Sequence, residues 1–126
     1  MFDFEKLEIY QVIRDHNIKV QKYIADSTGI DEDIRREWKQ SSLDILLFLS
    51  EGTGRMGDEE KKELLIEARS SVFVSVAMID LLRGMGQIPE GDYLDMYAGY
   101  EKASKMLLGM YRSYSNKGRE KKEEAE

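Results

Sequence analysis

The sequence has no cysteine, one proline and one histidine among its 126 residues. Without cysteine the chain cannot form disulfides, thiolate metal sites or a cysteine nucleophile. The single histidine, His16, excludes any site that needs two imidazoles, including the paired Glu-x-x-His pattern of di-iron bundles. No apolar run approaches the roughly 18 residues of a membrane span, and the acidic start does not resemble a signal peptide. These absences predict a soluble cytoplasmic protein with no cofactor.

Charged residues are abundant at 35%, and the 25 acidic side chains outnumber the 19 basic ones to give a net charge of −6. The negative excess is spread along the chain, and no segment forms a basic block. Because nucleic-acid affinity comes mainly from Lys and Arg displacing counterions, this balance disfavours a nucleic-acid partner. A symmetric assembly could still gather one basic stripe from several subunits. The 41% of hydrophobic residues is enough for the core of one domain.

Glycine-containing breaks at 26–29, 51–57 and 84–91 divide the chain into four helical segments. The first is predicted to begin with Asp3 as its cap and to reach about Ile24. Its apolar stripe consists of Ile9, Ile13, Val20 and Ile24. The second segment runs from about Asp31 to Ser50, and the third begins with Asp58 as its cap.

The fourth segment carries a heptad seam, in which apolar residues recur at alternating steps of three and four. The seam consists of Tyr93, Met96, Tyr100, Ala103, Leu107, Met110 and Tyr114. Short connections between long helices favour antiparallel neighbours, so we predict an all-α, up-down-up-down antiparallel four-helix bundle. This single domain is predicted to span residues 1–115. Residues 116–126 are charged and are predicted to be a disordered tail.

The third segment is apolar around nearly its whole circumference, whereas a helix of a monomeric bundle should have a polar outer face. Its β-branched and leucine residues cannot all point to one core. The candidate interface residues are Val72, Val74, Val76, Ile79 and Leu82. Such a surplus most often marks a subunit interface, so the sequence predicts a homo-oligomer.

Candidate catalytic and metal-binding residues have simpler interpretations. Glu59, Glu63 and Glu67 share one helix face, which is typical of a solvated acidic surface beside nearby lysines. The serine pairs lack a histidine partner, and no Gly-x-Ser-x-Gly motif is present. A further hypothesis is a weak anion site beside Arg55, at the start of the third helix. We therefore predict no enzymatic activity and no metal site.

Two groups of basic residues are candidates for nucleic-acid contact. Arg35, Arg36 and Lys39 lie on the second segment. The other group, Lys102, Lys105 and Arg112, is interleaved with the tyrosines of the fourth segment. Aromatic stacking combined with phosphate contacts would use these residue types. The tyrosines follow the heptad seam, however, and a seam is normally core.

Several segments together carry a family resemblance. Residues 4–11 read FEKLEIYQ, residues 49–55 read LSEGTGR, residues 66–71 read IEARSS, 86–88 read GQI and 106–110 read MLLGM. In order and spacing they resemble the bacterial four-helix-bundle family named after the 23S rRNA intervening-sequence protein, over about residues 4–114. Residues 49–55 resemble that family's Ile-Ala-Glu-Gly-x-Gly-Arg signature. Its matching residues here are Glu51, Gly52, Gly54 and Arg55.

The resemblance implies a small helical protein that assembles as a homopentameric ring and has no established enzymatic activity. It also implies a distant similarity to the accessory variability protein of diversity-generating retroelements, a basic pentamer that binds nucleic acid. This chain departs from the family pattern at Phe48, where the family has Asn, and at Val74, where it has Glu. Without those polar partners, Glu51 is expected to anchor its loop by bonding to backbone amides or to Arg55.

Two functional hypotheses follow. The first is a non-catalytic oligomeric scaffold or adaptor that docks an unidentified protein partner. The second is a nucleic-acid-binding protein that uses basic stripes repeated around a homopentamer. The dependence of affinity on salt separates them, because phosphate contacts weaken steeply as salt rises and apolar docking does not.

Overall fold

The computed structural model describes the backbone of residues 1–125 and the side chains of residues 1–116. A short 3-10 helix (Asp3–Lys6) precedes four helices: α1 (Glu8–Asp26), α2 (Glu32–Thr53), α3 (Asp58–Gly84) and α4 (Glu90–Ala125). No strand occurs in residues 1–125, so the all-α prediction is confirmed. None of these helices combines the length and apolar character that crossing a bilayer requires. The backbone of the predicted disordered tail continues α4 as far as Ala125, and of its side chains only Asn116 is described.

Neighbouring helices run in opposite directions, as the contacts between α1 and α4 illustrate. Lys19 pairs with Asp95, while Tyr23, one turn further along α1, donates a hydrogen bond to Asp92 at 2.9 Å. The same antiparallel order holds between α1 and α2, between α2 and α3, and between α3 and α4. In each pair, residues later on one helix hydrogen-bond to residues earlier on the other. Each helix therefore contacts the next along the chain, and α4 returns to α1. This is the neighbour pattern of an up-down four-helix bundle.

Two helix starts differ from the prediction. Asp3 does not cap the first long helix, because extended backbone at Leu7 separates the 3-10 helix from α1. At the start of α3 the cap position is occupied by Gly57, and Asp58 is the first helical residue. Asp31 does cap α2, where its carboxylate accepts hydrogen bonds from the backbone amides of residues 33 and 34 at 3.0 and 3.1 Å.

The apolar stripes that helical periodicity predicts for α1 and α4 face the core. The predicted stripe of α1 is buried along its whole length. On α4 the seam from Tyr93 to Leu107 is buried, whereas Met110 and Tyr114 are partly buried against the same core. The heptad prediction for α4 is thus confirmed where that helix lies inside the bundle.

A buried group of polar side chains crosses the middle of the core. The indole nitrogen of Trp38 on α2 donates to the Tyr100 hydroxyl of α4 at 2.8 Å, and that hydroxyl donates to Ser42 Oγ at 3.1 Å. Close by, the hydroxyls of Ser41 and Ser75 lie 2.7 Å apart and link α2 to α3. Because buried polar groups are costly unless they are hydrogen-bonded, this network fixes the relative register of three helices.

Candidate functional site

The segment from Glu51 to Arg55 forms the end of α2 and the start of the turn that leads to α3. Glu51 accepts a hydrogen bond from the Arg55 guanidinium at 2.6 Å, as the sequence predicted. Gly52 lies inside α2 and is buried, and a β-carbon there would come within 3.1 Å of the Leu64 β-carbon, so glycine lets α2 approach α3 closely. Gly54 ends the helix in ordinary right-handed geometry. All four motif residues therefore have a packing or loop-closing role.

An open groove of about 700 Å³ lies beside this turn. Among residues 1–116, its lining includes the basic side chain of Arg55 and the acidic side chains of Glu60, Glu63 and Glu67. A phosphate placed there would face three carboxylates. The geometry thus argues against the anion site that the glycine-rich sequence suggested.

The basic residues of α2 do not form a free cationic patch. Arg35 donates to the backbone carbonyl of Ser27 at 2.6 Å and to that of Ile24, so its guanidinium fastens the connection between α1 and α2. Arg36 pairs with Asp33 at 2.5 Å. Lys39 is exposed. Since Arg35 is committed to the loop, the predicted three-residue stripe is reduced to two exposed side chains.

On α4, all three candidate basic residues are exposed. Lys105 pairs with Glu101 at 3.5 Å. Within the described side chains, Lys102 and Arg112 form no ion pair. Because α2 and α4 lie diagonally across the bundle, the two basic groups occupy separate surfaces of one subunit.

His16 has a packing role between α1 and α4. Its ring meets the Tyr100 ring edge-on, with centroids 4.6 Å apart. Gly99 makes room for it, because a β-carbon at that position would overlap the imidazole. The buried Nε2 atom has no hydrogen-bond partner among residues 1–116. Burial lowers the pKa of His16 to about 4, with Lys19 adding to the shift and Asp95 opposing it.

His16 should make the protein less stable in mild acid. The unfolded chain has an ordinary histidine pKa of 6.5, whereas the folded state resists protonation down to about pH 4. The free energy of unfolding should therefore fall as pH drops through 6.5 and level off below 4. At pH 5 the loss relative to neutral pH should be on the order of 1–2 kcal/mol. Urea titrations at pH 7.5 and 5 measure this loss. His16→Gln removes the titrating group, so this variant should lose less unfolding free energy between pH 7.5 and 5. Equal losses in both proteins would contradict a lowered pKa for His16.

The predicted interface residues separate into core and surface. Val72, Ile79 and Leu82 are at most 1% exposed and belong to the core of the single subunit, so their assignment to an interface is corrected. Val76 is partly buried against the same core. Only Val74, at 43% exposure, is open to a second molecule.

The apolar surplus of α3 lies instead on its outward side. We call this surface the α3 outer stripe, and its members are Ile66, Ser70, Phe73, Val74, Ala77 and Leu81, all of them exposed. The four large apolar members are 43–53% exposed. Successive residues of a helix point about 100° apart, so this stripe and the core stripe interleave and make the sequence look apolar all round. In the sequence, the α3 outer stripe could have been recognised from its own three- and four-residue spacings, which form a second set beside those of the core stripe.

A groove of about 490 Å³ lies between the outer stripe and α4. Phe73, Ala77 and Asp80 line it on α3, and Tyr93 and Tyr97 line it on α4. The Arg69 guanidinium carbon lies 5.0 Å from the centre of the Phe73 ring, and Arg69 Nε donates to Ser104 on α4 at 3.2 Å. Arg69 and Asp80 thus flank the apolar surface of α3 on its α4 side.

No protein-family model and no curated protein matches this sequence. Among the described residues, no three His, Asp or Glu side chains converge to hold a metal ion. Of the surfaces described above, the α3 outer stripe is the least expected for an isolated bundle.

Proposed function

We propose that this chain is the subunit of a homo-oligomer that serves as a non-catalytic scaffold or adaptor for an unidentified protein partner in the cytoplasm. One observation carries the proposal: four large apolar side chains stand about half exposed along the outward side of α3. Contiguous apolar surface of this kind usually marks a protein–protein contact. A ring of five subunits, as the resemblance implies, is one arrangement of such an oligomer.

The chemistry of the interior supports a non-catalytic role. The only histidine packs against an aromatic ring, and no serine or carboxylate within residues 1–116 hydrogen-bonds to it. The buried hydroxyls of Ser41, Ser42 and Ser75 are engaged with one another or with Tyr100. A nucleophile needs a neighbouring base, and this arrangement supplies none.

Nucleic-acid binding is the second candidate. It is favoured by the exposed basic residues Lys102, Lys105 and Arg112 of α4, which a ring would repeat in every subunit. It is disfavoured by the net charge of −6 and by the engagement of Arg35 with the α1–α2 connection. Binding of this kind should weaken steeply between low and moderate salt.

Val74→Asp tests self-association. Placed in an apolar contact, an unpaired carboxylate should cost several kcal/mol, so the subunits should dissociate at least 100-fold more readily. Because Val74 is 43% exposed in one subunit, the monomer should keep its fold. Light scattering reports the mass and circular dichroism the helix content.

Leu47→Asp is the matched control, since Leu47 is 57% exposed on α2, away from the outer stripe. We expect it to keep the mass of the unmodified protein. If Val74→Asp also keeps that mass, the outer stripe is not a subunit contact.

A further inference from the structure

The α3 outer stripe is symmetric about its own centre, which lies between Phe73 and Val74. Ser70 and Ala77 each stand three residues from the nearer central residue, and Ile66 and Leu81 each stand seven. Large, small and large side chains thus recur in the same order in both directions along the helix. This order suits a two-fold contact, in which the same patch meets itself and each pair of facing residues occurs twice.

Two copies of α3 that pack antiparallel about this centre bring equivalent positions together. Ile66 then lies against Leu81 of the partner subunit, and Ser70 against Ala77 of the partner subunit. The two central residues, Phe73 and Val74, meet their counterparts at the axis. The small side chains at 70 and 77 let the helix backbones approach, while the larger ones fill the space on either side.

The flanking charges also fit this arrangement. Arg69 and Asp80 lie on the same side of the stripe, because Arg69 hydrogen-bonds to Ser104 of α4 and Asp80 borders the groove formed with α4. Antiparallel packing about a two-fold axis brings like sides together. The backbone of Arg69 is then offset by two residues, about 3 Å along the axis, from that of Asp80 of the partner subunit, and the long arginine side chain can span this offset, twice per contact. Within residues 1–116, no cation of the same chain pairs with Asp80. Parallel packing would place these two charges on opposite sides of the contact.

We propose that the α3 outer stripe is a two-fold contact with a second copy of this chain, in which the α3 helices pack antiparallel and two Arg69–Asp80 pairs close one side. The inference rests on the self-association proposed above and specifies its geometry. A two-fold contact makes the copy number even. The assembly has two subunits if this is its only contact and ten if it joins two rings of five.

Cysteine cross-linking tests the register, because the natural chain has no cysteine. Ser70→Cys and Ala77→Cys are prepared separately, one of them with an affinity tag. Each is oxidised alone, and then the two are mixed, allowed to exchange subunits and oxidised. In the proposed register a residue 70 faces a residue 77, whereas two residues 70 are about 10 Å apart along the axis, too far for a disulfide.

A disulfide-linked pair that forms only in the mixture is the expected result. A disulfide in either variant alone overturns the antiparallel register. No disulfide in any sample, with a multimeric mass by light scattering, overturns the two-fold contact but leaves the proposed oligomer intact. A monomeric unmodified protein overturns both.

Charge reversal tests the flanking pairs independently of the cysteines. Arg69→Asp or Asp80→Arg alone should weaken association about tenfold, because each places like charges together. The double variant restores opposite charges and should regain most of the lost affinity. Analytical ultracentrifugation measures the dissociation constants. If the affinity of the double variant is lowered by as much as the two single losses added together, the Arg69–Asp80 pairing is contradicted.

Discussion

Trp38→Ala should lower the free energy of unfolding by about 3–5 kcal/mol, a large fraction of the stability of a domain this size. The indole is completely buried and bridges α2 to α4 through its 2.8 Å hydrogen bond to Tyr100. Its removal leaves a large cavity and takes one partner from a buried hydroxyl. Urea unfolding followed by circular dichroism measures the loss.

Phe2→Ala is the control for removing an aromatic side chain, because Phe2 is 72% exposed. It should change the free energy of unfolding by no more than about 0.5 kcal/mol. Trp38→Phe keeps an aromatic ring but loses the donor and should fall between the two. If Trp38→Ala unfolds at the same urea concentration as Phe2→Ala, the network does not organise the core as described.

Gly99→Ala should destabilise the bundle by about 1–3 kcal/mol, because its new methyl group would overlap the imidazole of His16 and force α1 away from α4. The same substitution at Gly109 of α4 meets open space, and there it should stabilise the helix by about 0.5–1 kcal/mol. The same glycine-to-alanine change is thus expected to lower stability at position 99 and to raise it at position 109. Thermal unfolding of the two variants measures both effects.

A double-mutant cycle identifies the contact that is responsible. His16→Ala shortens the side chain that the new methyl group strikes, so Gly99→Ala should cost less in that background. Equal costs with and without the imidazole would show that the strain at Gly99 arises elsewhere.

Much of the fold could be predicted from the sequence, because glycine-containing breaks and helical periodicity are local signals. The heptad seam of α4 and the stripe of α1 both face the core as expected. The errors at Asp3 and Asp58 arose because a good capping residue can stand inside a turn or one position into a helix. Local chemistry does not distinguish these positions.

The candidate site was predicted less well, for two physical reasons. Two apolar stripes on one helix look alike in sequence, so Val72, Ile79 and Leu82 were assigned to a contact surface although they belong to the core. The second reason is that the partners of a charged side chain depend on which other segments the fold brings next to it. The role of Arg35 thus depends on backbone carbonyl groups 8–11 residues earlier, at the end of α1 and just after it. The hydrogen bond from Trp38 to Tyr100 spans 62 residues and has no local signal.

The mass of the unmodified protein in solution tests the central claim most directly. Light scattering is recorded over a range of protein concentrations at low and moderate salt, with and without a pool of structured RNA and DNA. We predict a multiple of the 14.6 kDa subunit mass, unchanged by nucleic acid at either salt concentration. A particle that gains nucleic acid at low salt and releases it at moderate salt would favour the second candidate function. A 14.6 kDa monomer at every concentration would contradict the account.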